Sequence, residues 1–553
     1  MGIFVRKPLT QLLHEARHEG KGELRRVLGP VSLVALGVGV IVGAGLFSIT
    51  GTVAAQYTGP AITLSFIIAA LGCAFAGLCY AEFASMIPVA GSAYTYAYAT
   101  MGELVAWIIG WDLVLEYSVA ATTVSISWSR YLVVFLGQLG IQLPHALTAC
   151  PWDGGVANIP AAIIVCIMSF FLIRGTRESS LLNAVIVALK VGVILVFIVL
   201  GWQFIRPENY HPYLPPNTGA LGEFGWSGVL RGAAIVFFAF LGFDAISTTA
   251  QETKKPRRDM PIGILGSLLV CTVLYVLFGH VMTGVANYRL FSGHEGIAPV
   301  AIAIEQMGEG GVAAFPWLNS AILIAILMGY CSVIMVVLMS QSRVFLAMSR
   351  DGLLPPFFSR IHPRFRTPAH SNLLFMVVVA LLAAFVPAEV AGEMTSIGTL
   401  LAFVLVCGAV LVMRRTMPDA PRAFRTPLVP AIPILGILTC LGLMIFLPAD
   451  TWIRLVVWML IGQDIYAHYG LRRSHLEPGL ARRKGETIMN ALGIVLSLLC
   501  AVTGFWHQQT VGWQESKLLL IFACLFCRRT FCILRAAHLA STRLSRSGHT
   551  ALP

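Results

Sequence analysis

The sequence predicts an all-α polytopic membrane protein with 12–14 transmembrane helices, built around two inverted repeats of five helices. Three observations carry this. Of the 553 residues, 57% are hydrophobic and 12% charged, and the mean hydropathy is +0.80. A water-facing surface needs about twice that charge fraction, which excludes a soluble enzyme, a disordered chain and a secreted disulfide scaffold. The apolar residues fall in runs of the length that crosses a bilayer. Two of those runs, the first and the sixth, are interrupted at their centres.

The runs follow one another with short connections. They lie at about 31–53, 61–87, 104–138, 158–173, 181–205, 227–250, 261–285, 317–349, 370–386, 396–413, 430–447 and 452–470. Two weaker ones follow at about 488–506 and 517–534, the last broken by Arg528 and Arg529. Residues 1–30 form a charged segment, 31–470 a core of twelve spans, and 471–553 an extension with one or two extra spans and a basic tail. With the N-terminus inside and the loops alternating, thirty-one of the 38 Lys and Arg fall on the cytoplasmic side. One missed helix would invert every later loop, so the asymmetry supports the map and places both termini in the cytoplasm. It also explains the net charge of +12 without a nucleic-acid partner.

The first span reads GVGVIVGAGLF over Gly37–Phe47, with glycines at 37, 39, 43 and 45. Glycine weakens a helix interior and permits close backbone approach. Tight helix packing is one reading and an unwound helix with free backbone groups is the other. A dinucleotide loop has no preceding strand here. The sixth span, FFAFLGFDAISTTAQE over Phe237–Glu252, puts Gly242 and Asp244 at mid-span. Interruptions five helices apart are what inverted repeats produce, and the pair favours unwinding. Exposed N–H groups at one half-helix attract a carboxylate, and exposed C=O groups at the other accept from an ammonium. Such a site suits an α-amino acid zwitterion.

Lys190 is the one lysine deep in an apolar run. A charge there costs about 2.5–3.5 kcal/mol on insertion scales. The readings are a proton carrier and a structural lysine paired with carbonyls; its mid-span position argues against snorkelling. Asp112 and Glu116 lie one turn apart on span three and share a face, with Glu116 the candidate cavity residue and Asp112 a structural acid. Glu82 is read as structural, near the cytoplasmic end of span two, and Arg130 is expected to pair with an acid.

Two motifs are decoys. His14-Glu15-Ala16-Arg17-His18 spells a zinc-protease pattern, but it lies in a charged leader with no third ligand. Cys524 and Cys527 form a lone C-x-x-C with no second pair. No metal or organic cofactor is expected; the coupling ion is a proton.

The segments GVGVIVGAGLF, PVAGSAYTYAY (Pro88–Tyr98) and GWDLVLEY (Gly110–Tyr117) resemble the amino acid–polyamine–organocation superfamily of permeases. FFAFLGFDAISTTAQETKKPRRDMPIGI (Phe237–Ile264), QSRVFLAMSRDGLLP (Gln341–Pro355) and YGLRRSHL (Tyr469–Leu476) are similar to its cationic amino acid transporter family, in its bacterial form. The resemblance covers roughly residues 25–476. It implies a leucine-transporter-like fold with a ten-helix core. By the same resemblance, the amides of Gly43, Ala44 and Gly45 hold the substrate carboxylate. The carbonyls of Ile41, Phe238, Ala239 and Leu241 take the amino group, and Phe238 also caps the substrate. Lys190 matches the lysine at a sodium-site position of proton-coupled members, and Glu116 an acid near the pocket. The side-chain pocket is expected around Ser332, Met335 and Val336.

The stretch after Leu476 departs from the twelve-span pattern, and its last part, CRRTFCILRAAHLASTRLSRSGHTALP, looks unlike the rest. The implied function is a proton-symporting amino acid permease of the inner (cytoplasmic) membrane, not an enzyme. An exchanger without net proton movement is the alternative, and a membrane zinc hydrolase a remote one. The implied partners are an amino acid and the lipid bilayer; oligomeric state is left open. The apolar pocket guesses favour neutral, small or aliphatic amino acids over cationic ones.

Overall fold

The computed structural model describes residues 5–12, 26–43, 45–89, 91–220, 222–292, 299–308, 315–447 and 449–474. His14, His18, Ala44, both C-terminal runs and the Cys524/Cys527 pair lie outside the described residues. The chain divides into two compact units. Arg6–Arg350 with Pro355–Leu447 forms one, and Met1–Val5, Asp351–Leu354 and Pro448–Pro553 the other.

Each of the twelve main apolar runs appears as helix. In chain order these are α1 (Pro30–Ile41), α2 (Ile62–Met86), α4 (Glu103–Gln138), α5 (Ile159–Arg174), α6 (Thr176–Gly201), α7 (Gly225–Val236), α8 (Pro256–Val285), α10 (Pro316–Arg350), α11 (Ala369–Phe385), α12 (Ala388–Thr416), α13 (Ala431–Ile445) and α14 (Ala449–Ile465). α14 belongs to the second unit. Two short helices, α3 (Ala93–Thr100) and α9 (Pro299–Glu305), lie in connections the apolar pattern does not mark. Seven helical stretches are long and apolar enough to cross a membrane, and four shorter apolar helices accompany them among the described residues. Proline opens α1, α8 and α10, where its missing N–H removes no helix bond. Asn158 caps α5 by accepting from the amide of Ala161.

Polarity is inverted relative to a soluble protein. Ile163 and Ile167 on α5, and Leu373, Val377 and Leu381 on α11, are 43–55% exposed at i, i+4 spacing. Such stripes are stable against lipid, not water. Asp112, Glu116, Lys190 and Asp244 are buried. α4 has 36 residues, about 54 Å of helix, more than the ~30 Å hydrocarbon core. Its far end therefore leaves the apolar layer, and Arg130 is exposed there with no acid paired to it among the described residues. That corrects the expectation of an internal ion pair for Arg130.

The charges that pair among the described residues lie near the ends of α2, α12 and span six. Glu82 on α2 accepts from Arg414 at 2.9 Å and lies 3.1 Å from Arg422. Glu252, at the end of span six, is bonded by Nε and Nη2 of Arg343 on α10, both side chains being 2–3% exposed. The same residue is tied by its main chain, its carbonyl accepting from the amides of Val27 (2.8 Å) and Leu28 (2.9 Å). The amide of Lys254 returns a bond to the Leu28 carbonyl at 2.9 Å. Removing one partner of a buried pair costs about 3–5 kcal/mol. Arg343→Met should lower the thermal unfolding midpoint of the detergent-solubilised protein, and adding Glu252→Gln should recover most of it. An unchanged midpoint in the single variant would contradict this role.

Candidate functional site

Span one breaks directly after α1. Val42 leaves the helix with φ −74° and ψ 98°, and the chain resumes as a π-helical turn at Gly45–Ile49. Span six breaks after α7. A 3-10 turn, Phe237–Phe240, leads to an extended Leu241 (ψ 143°), Gly242 at φ +106°, and a 3-10 segment Asp244–Glu252. Only glycine adopts the Gly242 conformation without strain. The four glycines of span one do not need it, since none has a positive φ. They serve close approach instead. A Cβ on Gly45 would lie 2.3 Å from the Ala239 Cα, so the two broken helices meet backbone to backbone. Packing and unwinding, alternatives in the sequence, occur together.

Between the breaks lies a small cavity of about 30 Å³, room for about two water molecules. Its walls are Val40, Ile41, Gly43 and Gly45 from span one, Phe238, Leu241 and Gly242 from span six, Glu116, Tyr117, Ala120 and Val124 from α4, and Val333 and Val337 from α10. Six of the anticipated binding residues are therefore brought together: Ile41, Gly43, Gly45, Glu116, Phe238 and Leu241. Ala239 stands behind Gly45 and outside the cavity lining. The carbonyl of Phe238 already accepts from the amide of Leu241 at 3.3 Å. Those of Ile41 and Ala239 both accept from the hydroxyl of Tyr275 on α8, at 2.7 and 2.8 Å.

Lys190 is fully buried outside the cavity lining. Its Nζ donates to the carbonyls of Gly39 (2.5 Å) and Val42 (2.7 Å), both at the C-terminal end of α1 where span one breaks. Ser332 on α10 donates to the same Gly39 carbonyl at 3.1 Å and to Oδ1 of Asn183 at 2.5 Å. The pocket face of α10 is thus one residue out of phase with the expected set. Val333 and Val337 line the cavity, while Ser332 braces the break and Met335 and Val336 lie outside the lining.

The acids cluster on the opposite side. Glu116 lines the cavity, and its Oε2 has no hydrogen-bond partner among the described residues. Asp244 accepts from Tyr117 at 2.6 Å through Oδ2. Asp112, one turn below Glu116, has both oxygens buried and without a partner among the described residues. Tyr275 and Asn183 are residues the sequence did not single out, and Ser332 was expected in the pocket, not at the break. A tyrosine or serine in an apolar run carries no signal of its own, because either is also ordinary core.

Residues 28–463 match the family described as Amino acid permease. The chain is 45% identical over 480 residues, 86% of its length and 99% of the relative's, to the branched-chain amino acid permease BcaP of Bacillus subtilis. It is 40% identical over 476 residues, 86% of its length and 99% of the relative's, to the methylthioribose transporter of Bacillus subtilis. Against the vacuolar cationic amino acid transporter 4 of Arabidopsis thaliana it is 37% identical over 421 residues, 76% of this chain and 68% of that one.

The crossing at Gly45 is testable. Its added Cβ would meet backbone atoms, which cannot swing aside, and overpacking costs about 1–3 kcal/mol or more. Gly45→Ala should insert into the membrane yet lose substrate uptake in proteoliposomes; uptake at the wild-type rate would show that the breaks do not need this contact.

Proposed function

The chain belongs to the amino acid permease family and is an amino acid transporter, and from that premise we propose that it takes up neutral aliphatic amino acids by proton symport across the cytoplasmic membrane. The observation that carries the coupling is the Lys190 ammonium position, on the carbonyls of Gly39 and Val42 at the edge of the break. The relatives are permeases, so the H-E-x-x-H segment needs no hydrolase to explain it.

Substrate recognition follows from the walls. Amides at Gly43 and Gly45 suit a carboxylate, the carbonyl of Ile41 suits the amino group, and Phe238 covers the bound molecule. The side-chain end is formed by Ala120, Val124, Val333 and Val337. It offers a cationic side chain little beyond Glu116. A relative at 45% identity bears the name branched-chain amino acid permease, which agrees with that apolar end.

Lys190 ties proton occupancy to conformation. A charged donor makes hydrogen bonds roughly twice as strong as a neutral one. The ammonium is compensated while α6 faces the carbonyls of the span-one break. When those helices separate in the inward-open state, both carbonyls are lost and the charge stands uncompensated in a dry core. The proton then leaves toward the cytoplasm with the substrate. The distribution of Lys and Arg supports cytoplasmic termini.

Two measurements test this. Lys190→Ala should abolish uptake driven by a pH gradient in proteoliposomes; undiminished uptake with the usual pH response removes the proton role, and uptake that requires internal substrate and ignores the gradient favours exchange. Thermal-shift screening should show stabilisation by leucine, isoleucine and valine above arginine and lysine. Because one relative is named for methylthioribose, that compound belongs in the panel. Selective stabilisation by arginine, lysine or methylthioribose would overturn the substrate class.

A further inference from the structure

Span seven contributes a residue that the transport scheme leaves unused. Tyr275 is fully buried. Its hydroxyl touches both breaks at once, 2.7 Å from the Ile41 carbonyl and 2.8 Å from that of Ala239. The ring is wedged between Phe66 and Phe240, at centroid distances of 5.4 and 5.1 Å, so the hydroxyl has no second position to turn to. A phenol carries one proton. It satisfies one carbonyl at a time, and the other then faces a hydroxyl lone pair. A buried acceptor without a donor costs roughly 1–3 kcal/mol. Among the described residues the arrangement is one donor short, and an ammonium brings three.

We propose that Tyr275 is a positioning residue for the substrate's α-amino group, holding the Ile41 and Ala239 carbonyls one hydroxyl apart so that one lacks a donor until an ammonium arrives. Ile41 lines the cavity and Ala239 does not. The ammonium therefore donates to Ile41, and the phenol proton settles on Ala239. The clamp selects α-amino acids over α-hydroxy acids of the same shape, because a hydroxyl fills the open acceptor without a charge, and a charged donor bonds about twice as strongly. This rests on the reading that the carbonyls at the break receive the amino group.

The test is Tyr275→Phe in proteoliposomes, with leucine as substrate and 2-hydroxy-4-methylpentanoate, its α-hydroxy analogue, as competitor. The variant should raise KM for leucine about tenfold, leave maximal rate within about twofold, and narrow the wild-type preference for leucine over the hydroxy acid. A role in stability alone would lower the maximal rate and leave KM and the preference unchanged; that result overturns the proposal. A wild-type carrier with no such preference overturns both the proposal and the reading beneath it, whereas a wild-type preference that the variant keeps overturns the proposal alone. If the phenylalanine variant does not fold, 3-fluorotyrosine at position 275 keeps the shape and sharpens the O–H donor. A KM shift of at least twofold at constant maximal rate is then expected, and no shift overturns the proposal.

Discussion

Opening a helix inside hydrocarbon frees carbonyls that no surrounding solvent can satisfy. Much of the arrangement around span one answers that need. Gly39 accepts from Lys190 and Ser332, Ile41 from Tyr275, and Val42 from Lys190. Gly43 accepts from the amides of Leu46 and Phe47. The donors come from spans five, seven and eight, so three neighbouring helices hold the break open. Lys190 is a structural lysine on carbonyls by its geometry. Under the proposed coupling the same geometry would make a proton on it conformation-dependent, so the two readings of that residue do not exclude one another.

The cavity separates two kinds of polarity. The carboxyl groups of Asp112, Glu116 and Asp244 lie toward α4 and span six, while the amine reaches span one from outside the cavity lining. The described structure pairs none of these acids with Lys190. The described ion pairs sit instead near helix ends, on Glu82 and Glu252. The middle of the bundle thus relies on hydroxyls and main-chain dipoles, and the helix ends on charge.

The helices were legible because a bilayer demands long apolar runs, and the breaks because glycine and Asp244 are out of place at mid-span. Lys190 and Glu116 stood out for the same reason: a charge in an apolar run is expensive. Tyr275 and the bracing role of Ser332 were illegible, since their chemistry lies in what they face. α10 is apolar on nearly every side, so nothing in its sequence marks the phase, and the pocket face was misplaced by one residue to Ser332 and Val336 instead of Val333 and Val337. Arg343 was counted only as a topology signal, although burial against Glu252 makes it part of the interior. The short α3 escaped because eight residues rich in Tyr and Ala carry little periodicity.

The main-chain bonds between Val27–Leu28 and Glu252–Lys254 have a mechanical meaning. They fasten the leading end of the first broken helix to the trailing end of the second. With Gly45 and Ala239 in contact at the middle, the two pieces are joined at two points along their length, and a body pinned twice cannot hinge at either pin alone. Two-point attachment therefore ties any displacement of one broken helix to the other.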